Sequence, residues 1–343
     1  MLAPLVEQIG ARFALDDYGP QALFPAPGEA AAAGFVSLLP DVGQLAVEGA
    51  DAANFLHNQL TNDVEHLEAD EARWYGYCSP KGRLLSVFLG WREGDGFALT
   101  VARPLAEPLR KRLSMYVLRA KAKISDRSAA QAFLGVGGPG ARAALAVLGL
   151  SAPAPLRTSA AGPLIAIGLP PVVLDGDAPT ERWLVRVPLE GLAATWAALS
   201  SPLAPVSSTF WRRTEVLSGI PRIVPGTSEQ FVPQMVNLEI VGGVNFKKGC
   251  YPGQEIVARS QYLGKLKRRM FLAHLDGAEP APGSDVQPLS GGEPIGQVVL
   301  AAPSPAGGID LLVEARTDAI DAGTAIAGAP LRLRTLPYPM PTP

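Results

Sequence analysis

A chain of 343 residues has room for two or three domains and a large core. Its 48% hydrophobic and 18% charged content excludes a disordered chain, and a net charge of −2 excludes a global field drawing the molecule to nucleic acid. The opening MLAPLVEQIGARF carries Glu7 and no basic stretch, so it does not read as a signal peptide, and no apolar run reaches bilayer-spanning length. The two cysteines, Cys78 and Cys250, lie too far apart in sequence to suggest a disulfide framework, which makes the cytoplasm the expected compartment. The three histidines, His57, His66 and His274, lack metal-ligand spacing, and there is no Cys-x-x-Cys, so no permanent metal is expected.

In chain order, SLLPDVGQLAVEG reads as a hairpin and ADAANFLHNQLTNDV as a short amphipathic helix. LLSVFLGWREGDGFALTVA contains two strand-like runs joined at Gly94-Asp95-Gly96, a strong hairpin signal. A helix with Leu105, Leu109, Leu113 and Tyr116 on related faces follows. LRAKAKI then alternates Arg119, Lys121 and Lys123 with alanine, which on a strand places three cations on one face.

From about residue 131 the order is β-α-β-β-α, most of a ferredoxin-like unit. Within it, Gly135 to Gly140 matches G-x-G-x-x-G between a strand and a helix. Residues 151–174 hold no Asp or Glu, however, and Pro139 removes a backbone N–H that a pyrophosphate would need. The expectation is a tight turn. From about 266, short β-like runs separated by Gly- and Pro-rich turns predict a small barrel or sandwich.

The richest stretch is NFKKGCYPGQEIVAR, residues 245–259. Pro252 suits a first helical turn, Glu255 is an acid in that turn, and EIVAR continues with helical spacing. Cys250 is then expected just outside a helix N-terminus, where the macrodipole and Lys247 or Lys248 favour thiolate over thiol. The alternative is a buried cysteine in a strand-to-helix turn with solvated lysines. No His–Cys pair is visible locally. Cys78, before the Ser-Pro-Lys-Gly turn, reads as structural, a Cys78–Cys250 redox pair being the alternative.

Lys248 to Glu255 resembles the signature of the YgfZ family, Lys-Gly-Cys-Tyr-x-Gly-Gln-Glu, at every fixed position. Members of this family are folate-binding relatives of the glycine-cleavage aminomethyltransferase, the T-protein. Further similarity runs through GADAANFLHNQLTNDV, KGRLLSVFLGWREGDGFAL, GARAAL and residues 229–249. The resemblance implies an α+β, T-protein-like, three-domain ring with a ferredoxin-like part and a C-terminal β-barrel. The expected domains are 1–130 together with 205–258 as an interleaved folate-binding region, 131–204 as the ferredoxin-like part, and 259–343 as the barrel.

The resemblance also implies tetrahydrofolate, or a derivative, as cofactor. The function it implies is support for the assembly or repair of iron–sulfur enzymes, tRNA-thiolating ones among them, through Cys250. Lys248, Tyr251, Gln254 and Glu255 complete the motif. Trp211 matches a family tryptophan of the folate site, the alternative being a core tryptophan on a helix face, and Gln59, Asn62 and Tyr77 are candidate partners for a pterin's polar edge. Arg119, Lys121 or Lys123 could receive folate's glutamate tail, the alternative being a solvated strand face.

One competing reading is a folate-dependent aminomethyltransferase. That chemistry relies on a carboxylate after a Lys-Gly-Gly turn, whereas Lys81 to Val87 contains no acid. A folate-contacting glutamate of relatives is also absent, Leu217 preceding Ser218-Gly219. The other is a direct tRNA-binding module using Lys265, Lys267, Arg268 and Arg269 beside Tyr262. This cluster reads better as a basic linker into the barrel. The expected partners are therefore folate and iron–sulfur client enzymes, with tRNA met only indirectly and no membrane.

Overall fold

Periodicity switches from helix-like to strand-like along this chain, and the elements follow it closely. The computed structural model describes residues 2–25, 33–174, 176, 178–262 and 266–340. They divide into two compact units. The first comprises Met1–Ala52, Leu67–Arg73 and Leu89–Trp211, and the second Ala53–His66, Trp74–Phe88 and Arg212–Pro343.

The first unit is built on a six-stranded sheet. Its order is Thr158–Ala161, Leu164–Val173, Pro179–Pro188, Gln131–Gly137, Phe35–Leu38 and Ala204–Pro205. The helices Ala141–Val147 and Leu192–Ser200 complete the β-α-β-β-α succession, with Phe35–Leu38 inserted into the sheet. Leu134, Val136, Leu145, Trp183, Val185 and Leu199 are buried in its core, each contributing about 1.5–3 kcal/mol relative to exposure. The glycine-rich turn after Gln131–Gly137 is a close backbone crossing. Gly138 has φ +89°, and a Cβ there would lie 2.7 Å from Gly34 Cα. Its N–H donates to Glu181 O (3.0 Å) and that of Gly140 to Ala33 O (2.9 Å), so neither is left to cradle a phosphate.

The hairpin signal at 94–96 holds. Leu84–Glu93 and Gly96–Ala102 pair antiparallel with Glu93 opposite Gly96, and Gly94 adopts φ +57°. Two strand expectations need correction. Phe35–Leu38 and Val42–Glu48 do not form a hairpin with each other. Phe35–Leu38 is buried at all four positions between Gln131–Gly137 and Ala204–Pro205, while Val42–Glu48 pairs with Gly96–Ala102 and Lys123–Asp126. A strand covered on both faces gains more apolar contact in a sheet interior than in a two-stranded ribbon.

LRAKAKI is likewise not one strand. The strand starts at Lys123, whereas Arg119 and Lys121 lie in a turn where Leu118 has φ +46° and the Lys121 N–H donates to Asp51 Oδ2 (2.7 Å). Three cations on one strand face are therefore absent, and with them the geometry expected to receive a glutamate tail.

In the second unit the final strands close a barrel in the order Arg268–Leu275, Ile309–Arg316, Gly296–Pro303, Asp285–Pro288, Thr324–Ile326 and Ala329–Arg334. Met270, Leu272, Val298, Leu300, Leu311 and Val313 are buried. The basic cluster opens this barrel. Arg268 pairs with Glu314, and Arg269 with Glu239 and, at 3.0 Å, with the Gln234 carbonyl. Lys267 is exposed, and Lys265 lies outside the described residues. Both arginines are thus spent on barrel ion pairs.

Candidate functional site around Cys250

The signature segment is held by short hydrogen bonds on its N-terminal side. Thr61, just beyond the helix Ala52–His57, donates its hydroxyl to Gly243 O (2.6 Å) and accepts from the Gly76 N–H (2.7 Å). The Asn245 N–H donates to Thr61 O (2.9 Å), and Asn245 Oδ1 accepts from the Lys247 N–H (2.8 Å). Beyond the cysteine, Gly253 has φ +79°, and the helix Gln254–Tyr262 begins after it. Pro252 therefore precedes the helix instead of occupying its first turn, because the left-handed turn at Gly253 resets the chain direction. Cys250 lies four residues ahead of the helix, exposed, where helix-terminal charge has already weakened.

Lys248 is not a free counter-ion. Its Nζ donates to the carbonyls of His57 and of Leu60 (3.0 Å), beyond the last turn of Ala52–His57, and sits 4.9 Å from the centroid of the Tyr251 ring. Burial lowers its ammonium to about 8, against the opposing pull of Asp63, Cys250 and Glu65. Tyr251 is 6% exposed, and burial pushes its phenol upward, with Cys78 adding to the shift. Gln254 opens the helix, and Glu255 is exposed in its first turn. Of the two thiols, Cys78 is buried and pushed well up by burial, which suppresses its thiolate. Cys250 alone faces solvent.

Sequence reasoning missed a neighbour of the signature. His57 is 9% exposed, its Nδ1 lies 3.2 Å from Asp63 Oδ1 and 3.9 Å from Glu65 Oε2, and a Cβ on Gly249 would lie 3.9 Å from its Nε2. That places the imidazole against the residue preceding Cys250. His57 and Gly249 are 192 positions apart, so no local spacing could signal the approach. Asp63 is raised by burial but more strongly lowered by the His66 backbone and ring hydrogen bonds and by the His66 and His57 charges, so its carboxyl sits below the usual range.

The expected folate contacts differ in what they have free. Asn62 Nδ2 donates to Trp74 O (3.0 Å) and Gly242 O (2.7 Å), and its Oδ1 accepts from the Asp63 N–H (2.9 Å), so it is spent on the scaffold. Tyr77 is 1% exposed and stacks on Phe88 at 6.5 Å. Gln59 differs: its Oε1 is buried without a hydrogen-bond partner among the described residues. The bridge between Leu60 and Tyr77 brings Gln59 opposite Cys78, and the adjacent Ser79 hydroxyl is also buried and unpartnered. Such orphaned acceptors call for a donor.

Trp211 belongs to the first unit and is 1% exposed. Its ring lies against Gly135, where an added Cβ would come within 2.7 Å of Cζ3. Arg182 sits 5.7 Å from its centroid, and Phe35 meets it edge-on at 6.5 Å. This is the packing of a core tryptophan. Among the described residues no group of three or more His, Cys, Asp or Glu could hold a metal ion, and no helix is long and apolar enough to cross a membrane.

Comparison with known proteins agrees with this arrangement at two levels. No family model matches the chain. The tRNA-modifying protein YgfZ of Vibrio vulnificus YJ016 is 36% identical over 248 residues, covering 72% of this chain and 71% of that protein. The tRNA-modifying protein YgfZ of Cronobacter sakazakii is 32% identical, covering 73% and 74%. Among solved structures, the glycine cleavage system aminomethyltransferase T from Bartonella henselae superposes with a TM-score of 0.76 at 16% identity, over 98% of this chain and 96% of that one. The fold is thus the α+β fold of that aminomethyltransferase, with its ferredoxin-like part and C-terminal barrel. By sequence, the chain belongs to the YgfZ family of tRNA-modifying proteins.

Proposed function

We propose that the protein is a folate-binding accessory factor that supports the assembly or repair of iron–sulfur enzymes, tRNA-thiolating ones among them, through Cys250. The observation that carries this reading is the contrast between the two thiols: Cys250 is exposed within its complete family signature, while Cys78 is buried. An exposed cysteine two residues from a partly desolvated lysine suits transient exchange with a partner better than a structural role. The names of the relatives point to tRNA modification as the process served.

For folate, Gln59 Oε1 and Ser79 Oγ are unfilled acceptors that fit the N–H donors of a pterin edge. When bound, a folate would supply one-carbon-carrier chemistry. The chain's own part in that chemistry is limited, because Lys81 to Val87 contains no carboxylate and Ser86 is fully buried. That absence disfavours aminomethyl transfer, in which a carboxylate steadies developing positive charge.

The decisive experiment is Cys250→Ala in the native host, scored by iron–sulfur enzyme activity and by tRNA thiolation. Both should fall together. Unchanged values for both would overturn the reading and reduce the signature to architecture.

A further inference from the structure

The segment from Pro108 to Ser125 concentrates charge of one sign. It holds Arg110, Lys111, Arg112, Arg119, Lys121 and Lys123 and no Asp or Glu, so six positive charges sit on a chain of net −2 and everything else carries −8. The segment runs from the helix Ala106–Met115 through a turn into the strand Lys123–Asp126, and that helix and strand pack against each other. Few acids reach these cations. Glu107 takes Arg110 and Lys111, and Asp51 accepts the Lys121 backbone N–H. Glu48, opposite Lys123 in the strand register, pairs with Arg127 at 3.3 Å. Arg112, Arg119, Lys121 and Lys123 make no ion pair among the described residues, and Arg112 Nε is buried without a hydrogen-bond partner there.

Between the two groups of cations the chain presents large side chains to water. Met115 is 65% exposed, Tyr116 41% and Leu118 88%. Arg112, Met115 and Tyr116 are spaced i, i+3 and i+4 at the helix end, so they share one face. Main chain holds the turn from behind. Leu118 takes φ +46°, the Ala120 N–H donates to Val117 O (2.8 Å), and the Asp51 N–H donates to Lys121 O (3.1 Å). Gly49 is so close to that carbonyl that a Cβ on it would lie 2.2 Å from Lys121 O. Backbone contacts thus fix the turn while its side chains stay unburied, which lowers the ordering cost of engaging a partner.

We propose that this face binds RNA directly, with Arg112, Arg119, Lys121 and Lys123 on phosphates and Tyr116 stacked on an exposed base. Charge complementarity selects the occupant. Four cations of one sign, free of acids, match a backbone that carries an anion at every nucleotide, and a base offers the tyrosine a flat apolar partner. Salt confines such attraction to within ~8 Å at physiological strength, so the local charge decides and the net charge of the chain does not. This goes beyond the accessory role built on Cys250, in which tRNA is met through client enzymes, and does not depend on it.

The test uses the full-length protein and fluorescently labelled bulk bacterial tRNA, with affinity read by anisotropy at about 50 to 300 mM KCl. Wild type should bind at the lowest salt, and log affinity should fall against log salt with a slope of about −3, as for four neutralised phosphates. Arg119→Gln combined with Lys121→Gln should make the slope shallower by about 1.5 and weaken low-salt binding at least about tenfold. Tyr116→Ala should lose about tenfold with the slope unchanged, because stacking releases no counterions. Thermal denaturation checks folding, and Arg119→Gln alone, with a slope change of about 0.7, replaces the double variant if that one fails to fold. Absence of salt-dependent binding by wild type overturns the proposal, as do wild-type affinity and slope in the folded charge variant. Wild-type affinity in Tyr116→Ala reduces the face to attraction for any polyanion and overturns the base contact. Binding to vesicles of anionic phospholipid without binding to tRNA assigns the face to a membrane and overturns the proposal equally.

Discussion

At the scale of single residues, chemistry written in one short run was legible and chemistry assembled by folding was not. The signature from Lys248 to Glu255 announced an unusual cysteine, and the structure leaves Cys250 exposed. The part given to Lys248 changed. Besides feeling the charge of Cys250, it donates to two main-chain carbonyls near residues 57–60, because a half-buried ammonium needs hydrogen-bond acceptors. His57 was invisible as a neighbour, being far away in sequence. The contrast between the thiols predicts a simple count. Native protein should react with one equivalent of a water-soluble thiol reagent, at Cys250, and protein unfolded in guanidinium with two. Burial suppresses the Cys78 thiolate and blocks access to it, so prompt native labelling at Cys78, read by peptide mapping, would contradict the assignment.

At the scale of elements, what the sequence specified well was whatever a short loop dictates. The hairpin around Gly94 followed from a two-residue connection that accepts positive φ. Two neighbouring predictions failed because partners outside the local segment decided the outcome: Gln131–Gly137 captured Phe35–Leu38, and Asp51 bound the backbone of Lys121. The loop bearing Cys250 is positioned by a similar long-range contact. A Cβ on Gly253 would lie 2.5 Å from Ser79 O and 2.6 Å from Gly82 Cα, at φ +79°. Gly94, at φ +57°, has nothing within 4 Å of its would-be Cβ. Gly94→Ala should therefore cost only the backbone strain, about 1 kcal/mol. Gly253→Ala adds a clash with main chain that cannot rotate away, and should cost about 3 kcal/mol or more while changing the Cys250 alkylation rate. Urea denaturation of the two variants beside wild type measures the difference. Equal losses would mean that the Ser79–Gly82 turn yields freely and does not hold the cysteine loop.

At the scale of the whole molecule, composition and strand spacing were enough to anticipate a barrel, but not the charges that hold it. Asp310 is fully buried on Ile309–Arg316, and three groups converge on it at 2.8 Å: Arg213 from the helix Ser208–Leu217, His274 from Arg268–Leu275, and Arg334 from Ala329–Arg334. Sequence reading had no means of pairing them, since each looks like an ordinary charge in its own segment. Burial raises the Asp310 carboxyl, but hydrogen bonds from His274 and Arg213 and the nearby arginine charges lower it further, so its net displacement is downward. A depressed carboxylate contributes stability that is present above its unfolded value of ~3.9 and lost as pH falls through its folded value. Glu314 and Glu239 act in the opposite sense. Burial raises both above the usual range, so the folded state takes up their protons first, and their share of stability grows as pH falls. A wild-type acid profile mixes these effects, and only a difference isolates Asp310. Asp310→Asn leaves the Arg213 guanidinium, 3% exposed, buried without its counter-charge, and should lower stability at pH 7 by about 3–5 kcal/mol. The gap between wild type and variant should then narrow as pH drops below ~4, because wild type loses there what the variant never had. Urea midpoints at pH 7, 5, 4 and 3 measure that gap, and a gap that stays constant down to pH 3 would mean that the ionised Asp310 does not hold this part of the barrel together.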